Sequence, residues 1–154
     1  MIKPIMKSEF FLRLPSEDAG PDDAATGQDL LDTLHEHERE CVGLAANMIG
    51  VRKRIICVKD GNRTLLMYNP QILEQVNAYQ TSEGCLSLIG ERPCTRYRRI
   101  KVEYLDENFV HRIKNFSGYT AEIIQHEIDH CNGVVQFRGR DQKVSALSFH
   151  VTLA

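Results

Sequence analysis

Apolar residues recur at helical spacing in two stretches of the chain and alternate with polar ones in several others. Leu30, Leu31, Leu34 and Cys41 fall on one side of a 3.6-residue repeat. They predict a helix over about residues 22–40, with Pro21 at its start and Asp22 and Asp23 at the positive end of its dipole. Gly27 weakens this helix near its beginning. Ala121, Ile124, Ile128 and Cys131 repeat in the same way and predict a second helix over about 119–131, stopped by Asn132-Gly133. Between the two lie shorter runs with strand character. Residues 54–59 turn at Asp60-Gly61-Asn62 onto residues 64–68, which Asn69-Pro70 stops. Residues 71–78 are a weaker candidate. Residues 100–105 alternate apolar with polar, as a half-buried strand does, and 109–113 return across Asp106-Glu107-Asn108. Residues 1–20 read as irregular, punctuated by Pro4, Pro15 and Gly20. Strands grouped between two helices, rather than alternating with helices, indicate an α+β fold.

Size and charge narrow the functional classes. The 154 residues suit a single domain, 1–154, with a sizeable core. A net charge of −2 gives no bulk attraction to nucleic acid or to an anionic membrane surface. Arg52-Lys53-Arg54 and Arg96-Tyr97-Arg98-Arg99 lack aromatic interleaving and read as solvated charge beside strands, not as a nucleic-acid site. No apolar run approaches the ~20 residues that cross a bilayer, and the first residues lack the apolar core of a secretory signal. Five cysteines, an odd number without a Cys-x-x-Cys pair, point to a reducing compartment and hence to the cytoplasm. Cys41, Cys57, Cys94 and Cys131 read as small core hydrophobes.

The chemistry concentrates in His126-Glu127-Ile128-Asp129-His130. Histidines four apart on a helix share one face, so one divalent ion can take both imidazoles, and the glutamate between them can handle protons on a water held there. A third ligand is missing. The long protease version of this motif needs a histidine where Gln136 stands, so that version fails. Cys85, flanked by a glycine in Glu83-Gly84-Cys85-Leu86-Ser87, is the other candidate: a thiolate suits zinc or ferrous iron. Cys85, His126 and His130 would leave a fourth position open, as catalytic sites do. Taken alone, a single cysteine is a buried free thiol. His35 and His37 lie in a charged stretch and His111 on an alternating strand; all three read as surface residues.

The segments Glu83-Gly84-Cys85-Leu86-Ser87 and Gln125-His126-Glu127-Ile128-Asp129-His130 resemble two of the three signature motifs of peptide deformylases. Cys41-Val42-Gly43-Leu44-Ala45-Ala46-Asn47-Met48 resembles the third, a loop of the form Gly-x-Gly-φ-Ala-Ala-x-Gln with φ apolar. The motifs keep the family order over roughly residues 25–140, and Tyr68-Asn69-Pro70 also fits. The resemblance implies a peptide-deformylase-like fold, with small mixed or antiparallel sheets around a central helix carrying the two histidines. It implies a metal-dependent hydrolase that removes the formyl group from N-formylmethionyl peptides of new polypeptides, in transient proximity to the ribosome. One divalent ion per chain is implied, ferrous iron in cells, with zinc or nickel as alternatives, held by Cys85, His126 and His130. Glu127 would serve as the base and the Leu86 N–H would steady the oxyanion. The backbone of Gly43 and Leu44 would align an extended substrate. Ile123 and Leu86 would wall the methionine pocket, and Met48 would stand beside the substrate at the last loop position. Glu83 and Arg96 would pair as a brace for the Cys85 loop, so that reversing both charges restores metal retention lost in either single variant.

Two departures from the family pattern stand out. Cys41 replaces the first loop glycine, and Met48 replaces the glutamine whose amide donates to the carbonyl oxygen. Methionine has no such donor, and losing one oxyanion donor costs roughly 10²–10³ in rate. Asn47 next door carries an amide, but in a regular element it points away. Two competing readings follow: a deformylase-like paralogue with little or no turnover, which Met48 supports, and a metallopeptidase resting on the five-residue helix motif alone.

Overall fold

The structure, a computed structural model, describes residues 1–85 and 88–134, apart from the side chains of residues 88–90. Ten segments follow in order among the described residues. They are a single helical turn α1 (Glu9–Leu12), a 3₁₀ turn (Pro21–Asp23), helix α2 (Ala24–Glu36), strand β1 (Gly43–Ala45) and a second 3₁₀ turn (Ala46–Ile49). Then come β2 (Ile55–Asp60), β3 (Arg63–Cys85), β4 (Leu88–Leu105), β5 (His111–Ser117) and helix α3 (Gly118–Cys131). The strands form one antiparallel sheet in the order β1-β2-β3-β4-β5. This is the α+β arrangement expected, with a single antiparallel sheet.

The sheet is sandwiched at β2. Successive side chains of a strand point to opposite faces. Ile55 and Cys57 accordingly join Leu30 and Leu34 of α2, together with Leu12, Leu66 and Tyr68. Ile56 and Val58 join Ala121, Ile123, Ile124 and Ile128 of α3, together with Met67, Ile100 and Val102. Each helix thus covers one face, and burial on both sides explains why residues 55–58 are apolar without a break. Helix α3 is buried over nearly its whole length, polar residues included. The Gln125 side chain acts as an extra rung of the sheet: its Oε1 accepts from the Tyr97 N–H and its Nε2 donates to the Tyr97 carbonyl, both at 2.8 Å. At the far end the Gly133 N–H reaches the His130 carbonyl and the Val134 N–H reaches the Asp129 carbonyl, a Schellman closure.

Four sequence expectations change. Helix α2 stops at Glu36, not near residue 40, because the His37 N–H already bonds back to Thr33 and Leu34 with His37 outside the helical region. Cys41 is therefore buried from a loop, its Sγ–H donating to the Gly43 carbonyl at 2.9 Å. Strand β3 does not end at Asn69-Pro70. Asn69 takes a φ of 54°, its amide pairs with both backbone groups of Ala19 (2.7 and 2.9 Å), and pairing with β4 resumes after a register shift. Strand β5 begins at His111 and runs on to Ser117, because Asp106 Oδ1 accepts from the N–H groups of Asn108 and Val110 and holds 106–110 as a turn. Finally, the opening segment contains α1, capped by Ser8 accepting from the Phe11 N–H.

Gly27, which weakened the predicted helix, is required by packing. A Cβ there would overlap the hydroxyl of Tyr68 and lie 3.1 Å from Leu66 Cδ2. Gly27→Ala is expected to cost about 1–3 kcal/mol despite its better helix propensity. Denaturant titration checks this, and Tyr68→Phe in the same chain should recover part of the loss by removing the obstructing oxygen.

Candidate metal centre

Helix α3 and the end of β3 converge. His126 and His130 sit one turn apart on α3, ring centroids 5.0 Å apart. Cys85, the last residue of β3, places its Sγ 3.5 Å from His130 Nε2. One ligand atom from each of Cys85, His126 and His130 lies within 4.8 Å of the others, so the three can hold one ion.

The surrounding bonds select which atoms are free to ligate. His126 Nδ1 lies 2.9 Å from Glu83 Oε1, which leaves Nε2 buried with no hydrogen-bond partner among the described residues. A histidine that gives one ring N–H to a carboxylate and turns the other nitrogen inward has the pattern of a metal ligand with its supporting carboxylate. Burial alone would lower the basicity of His126, but Cys85 and Glu83 beside it raise its pKa well above the ordinary value. Burial would likewise raise the Cys85 thiol, yet His130 and His126 hold it well below the usual thiol range. Two imidazoles and a thiol prone to ionise are a donor set that fits zinc or ferrous iron.

Glu127 lies between the histidines, fully buried, with neither carboxylate oxygen hydrogen-bonded to the described residues. Burial pushes its pKa well above that of an ordinary glutamate. Gly43 makes room for it: a Cβ at Gly43 would come within 2.9 Å of Glu127 Oε2 and 2.6 Å of Ile123 Cγ2. The loop glycine and the helix glutamate are thus one packing unit.

Glu83 and Arg96 meet directly. Arg96 Nε donates to both Glu83 oxygens at 3.2 and 3.0 Å, Nη2 to Oε1 at 2.7 Å, and Nη1 reaches on to Asp129 Oδ2 at 2.7 Å. One guanidinium therefore ties the strand carrying Cys85 to the helix carrying both histidines. Sequence reasoning missed Asp129, although it stands inside the helix motif three residues after His126. It also missed what Asn47 does: its Nδ2 donates to the His130 carbonyl at 2.9 Å, pinning the second 3₁₀ turn to the end of α3.

The remaining candidates lie as follows. Leu44 is buried in β1, which has a neighbour in the sheet only on its β2 side among the described residues. Met48 is fully buried in the apolar cluster with Leu12 and Leu30, and Cys85 packs against that cluster. Ile123 is likewise buried in the cluster between α3 and the sheet, against Gly43. Leu86 lies outside the described residues.

Comparison with known proteins identifies the family. Residues 7–144 match the family model described as polypeptide deformylase. A peptide deformylase of Clostridium beijerinckii is 51% identical over 135 residues, 88% of this chain and 99% of that protein. One from Streptococcus mutans is 34% identical, over 79% of this chain and 74% of its own. Among solved structures, the peptide deformylase of Thermus thermophilus superposes with a TM-score of 0.78 at 32% identity, covering 88% of this chain and 84% of its own. A class I type b peptide deformylase from Acinetobacter baumannii, with Met-Ala-Ser bound, gives a TM-score of 0.80 at 28% identity, covering 88% of this chain and 97% of that one.

Proposed function

The chain belongs to the peptide deformylase family, and on that premise we propose that it removes the formyl group from N-formylmethionyl peptides by metal-assisted amide hydrolysis. The observation that carries this reading is the convergence of Cys85, His126 and His130 beside a buried Glu127 carboxylate that has no hydrogen bond among the described residues. Three protein ligands, rather than four, are the number that catalytic rather than structural sites use. An ion held by Cys85, His126 and His130 would supply Lewis acidity and make water easier to deprotonate near neutral pH. Glu127, a base whose proton affinity is raised by burial, takes the proton from the attacking water and returns it to the departing amine. Glu83 keeps the His126 ring oriented through Nδ1. Leu86, beyond the described residues, would donate its N–H to the formyl oxygen as it gains charge. An extended peptide would pair with the open side of β1 at Gly43 and Leu44, adding a strand to the sheet. The Met-Ala-Ser bound to the Acinetobacter relative supports a substrate that begins with methionine. Ile123, buried beside Gly43, would back the methionine pocket from the core.

Ferrous iron is the proposed ion in cells, one per chain, with zinc and nickel as substitutes for the same thiolate–imidazole set. The five free cysteines agree with a reducing cytoplasm, and no helix among the described residues is long and apolar enough to cross a membrane. The whole chain would then act as one domain on nascent peptides near the ribosome.

The test is formate release from formyl-Met-Ala-Ser by anaerobically prepared ferrous protein. Release is expected, lost on chelation and restored by the metal. With one ion bound per chain, no release above the Glu127→Ala background would sink the reading and leave a paralogue without turnover. Met48 is the observation behind that second reading, since it places thioether and no amide at the loop's last position. Met48→Gln in the same assay measures the missing donor, with a gain of roughly 10²–10³ as its full worth.

A further inference from the structure

We propose that Asn47 is a positioning residue for His130: its side-chain amide clamps the end of α3 at the residue that would hold the ion. The proposal rests on His130 being a metal ligand, as set out above.

The two histidines are held in different ways. His126 lies within α3, and its ring is oriented by Glu83. His130 is the last residue but one of α3, and its Nδ1 is buried with no hydrogen-bond partner among the described residues. The place of its ring therefore depends on the place of its backbone. A helix leaves its last four carbonyls without partners inside the helix, and its final turn opens more readily than its middle. The His130 carbonyl is one of those four.

Two donors reach it. The Gly133 N–H, 3.0 Å away, belongs to the same helix end and opens with it. Asn47 Nδ2, at 2.9 Å, comes from 83 residues earlier. Asn47 is 1% exposed, and the turn that carries it is anchored independently of α3. The Met6 N–H donates to the Met48 carbonyl at 2.7 Å, the Val51 N–H donates to the Ala46 carbonyl at 3.0 Å, and Met48 packs in the cluster with Leu12 and Leu30. Opening the last turn of α3 thus breaks a bond to a fixed partner, which the helix could not supply for itself. That bond narrows the positions open to His130 Nε2, which lies 3.5 Å from Cys85 Sγ. The turn also continues directly from β1, so the same bond sets the spacing between the metal centre and the strand at Gly43 and Leu44. Asn47 Oδ1, in contrast, is buried with no hydrogen-bond partner among the described residues. A half-satisfied buried amide costs desolvation that an apolar side chain avoids. The arrangement serves the placing of His130 better than the stability of the core.

The experiment compares wild type, Asn47→Leu and Asn47→Ala. Leucine keeps the branched shape and alanine adds no bulk, so a packing fault in one is absent from the other. Two measurements are made: the rate at which zinc-loaded protein gives up its ion to a chelator, and backbone hydrogen exchange in metal-free protein. Both variants should release zinc about tenfold faster than wild type, the lower end for a supporting partner. Amides of residues 130–133 should exchange about two- to tenfold faster, the worth of one hydrogen bond, while those of residues 123–126 keep their wild-type rates. Zinc release within about twofold of wild type in both variants would overturn the proposal. So would exchange that rises equally along the whole of α3, which would make Asn47 a core residue and nothing more. Wild type that takes up no zinc would remove the ligand assignment and this proposal with it. Wild type that holds zinc beside variants that release it no faster would remove the role of Asn47 alone.

Discussion

Glu127→Gln is expected to lower formate release by about 10²–10⁴-fold while the protein keeps its ion. The substitution preserves volume in a site with none to spare, since Glu127 is fully buried and packs against Gly43. It removes proton-accepting ability at neutral pH and little else, because neither carboxylate oxygen has a hydrogen bond among the described residues to lose. If Glu127 is the base, turnover collapses; and if Cys85, His126 and His130 are the ligands, as proposed, metal content stays at the wild-type level. Paired metal analysis and a formate-coupled assay read both. A variant that retains more than about a tenth of wild-type turnover would place the base elsewhere. A variant that loses its ion would make Glu127 a ligand.

The helix half of this site was legible because its information is local. Two histidines at a spacing of four share a face wherever a helix forms, and the apolar repeat of Ala121, Ile124, Ile128 and Cys131 predicts that helix. Cys85 was legible only with the motif around it, because nothing in the chain between residues 85 and 126 says that β3 ends beside α3. The long β3–β4 hairpin was not legible. Asn69-Pro70 carries a local stop signal, which is overridden by the Asn69 side chain bonding to Ala19, fifty residues earlier. Met48 shows the converse. Its lack of a donor is plain from the sequence, but its complete burial is a property of the cluster formed with α1 and α2. The contacts of Glu122 and Asp129 were not legible, because their partners Tyr79 and Arg96 come from strands far away in the chain.

Arg96→Met is expected to destabilise the fold by about 3–5 kcal/mol at neutral pH, the cost of stranding one member of a buried ion pair. Arg96 and Glu83 are 4% and 3% exposed, so water does not replace the lost donors. Lysine cannot substitute, because its single ammonium does not reproduce a fork that holds two Glu83 oxygens and Asp129 together. The pH dependence identifies the cause. Burial alone would raise the Glu83 pKa, but hydrogen bonds from His126 and Arg96 hold it well below the carboxylate range. Its contribution is therefore present above the unfolded value near 4.5 and fades as pH falls. In Arg96→Met the Glu83 charge becomes a burden that protonation relieves, so the gap to wild type should narrow toward acid. Urea titrations of metal-free protein near pH 7 and pH 4 measure this, with a loss under about 1 kcal/mol at neutral pH refuting it. The structure also reverses the expectation for exchanging the two charges. An arginine at position 83 would face the His126 N–H with a second cation, and a glutamate at position 96 would face Asp129. The double exchange should therefore lose the ion as readily as either single variant, because this brace has four members and only two of them trade places.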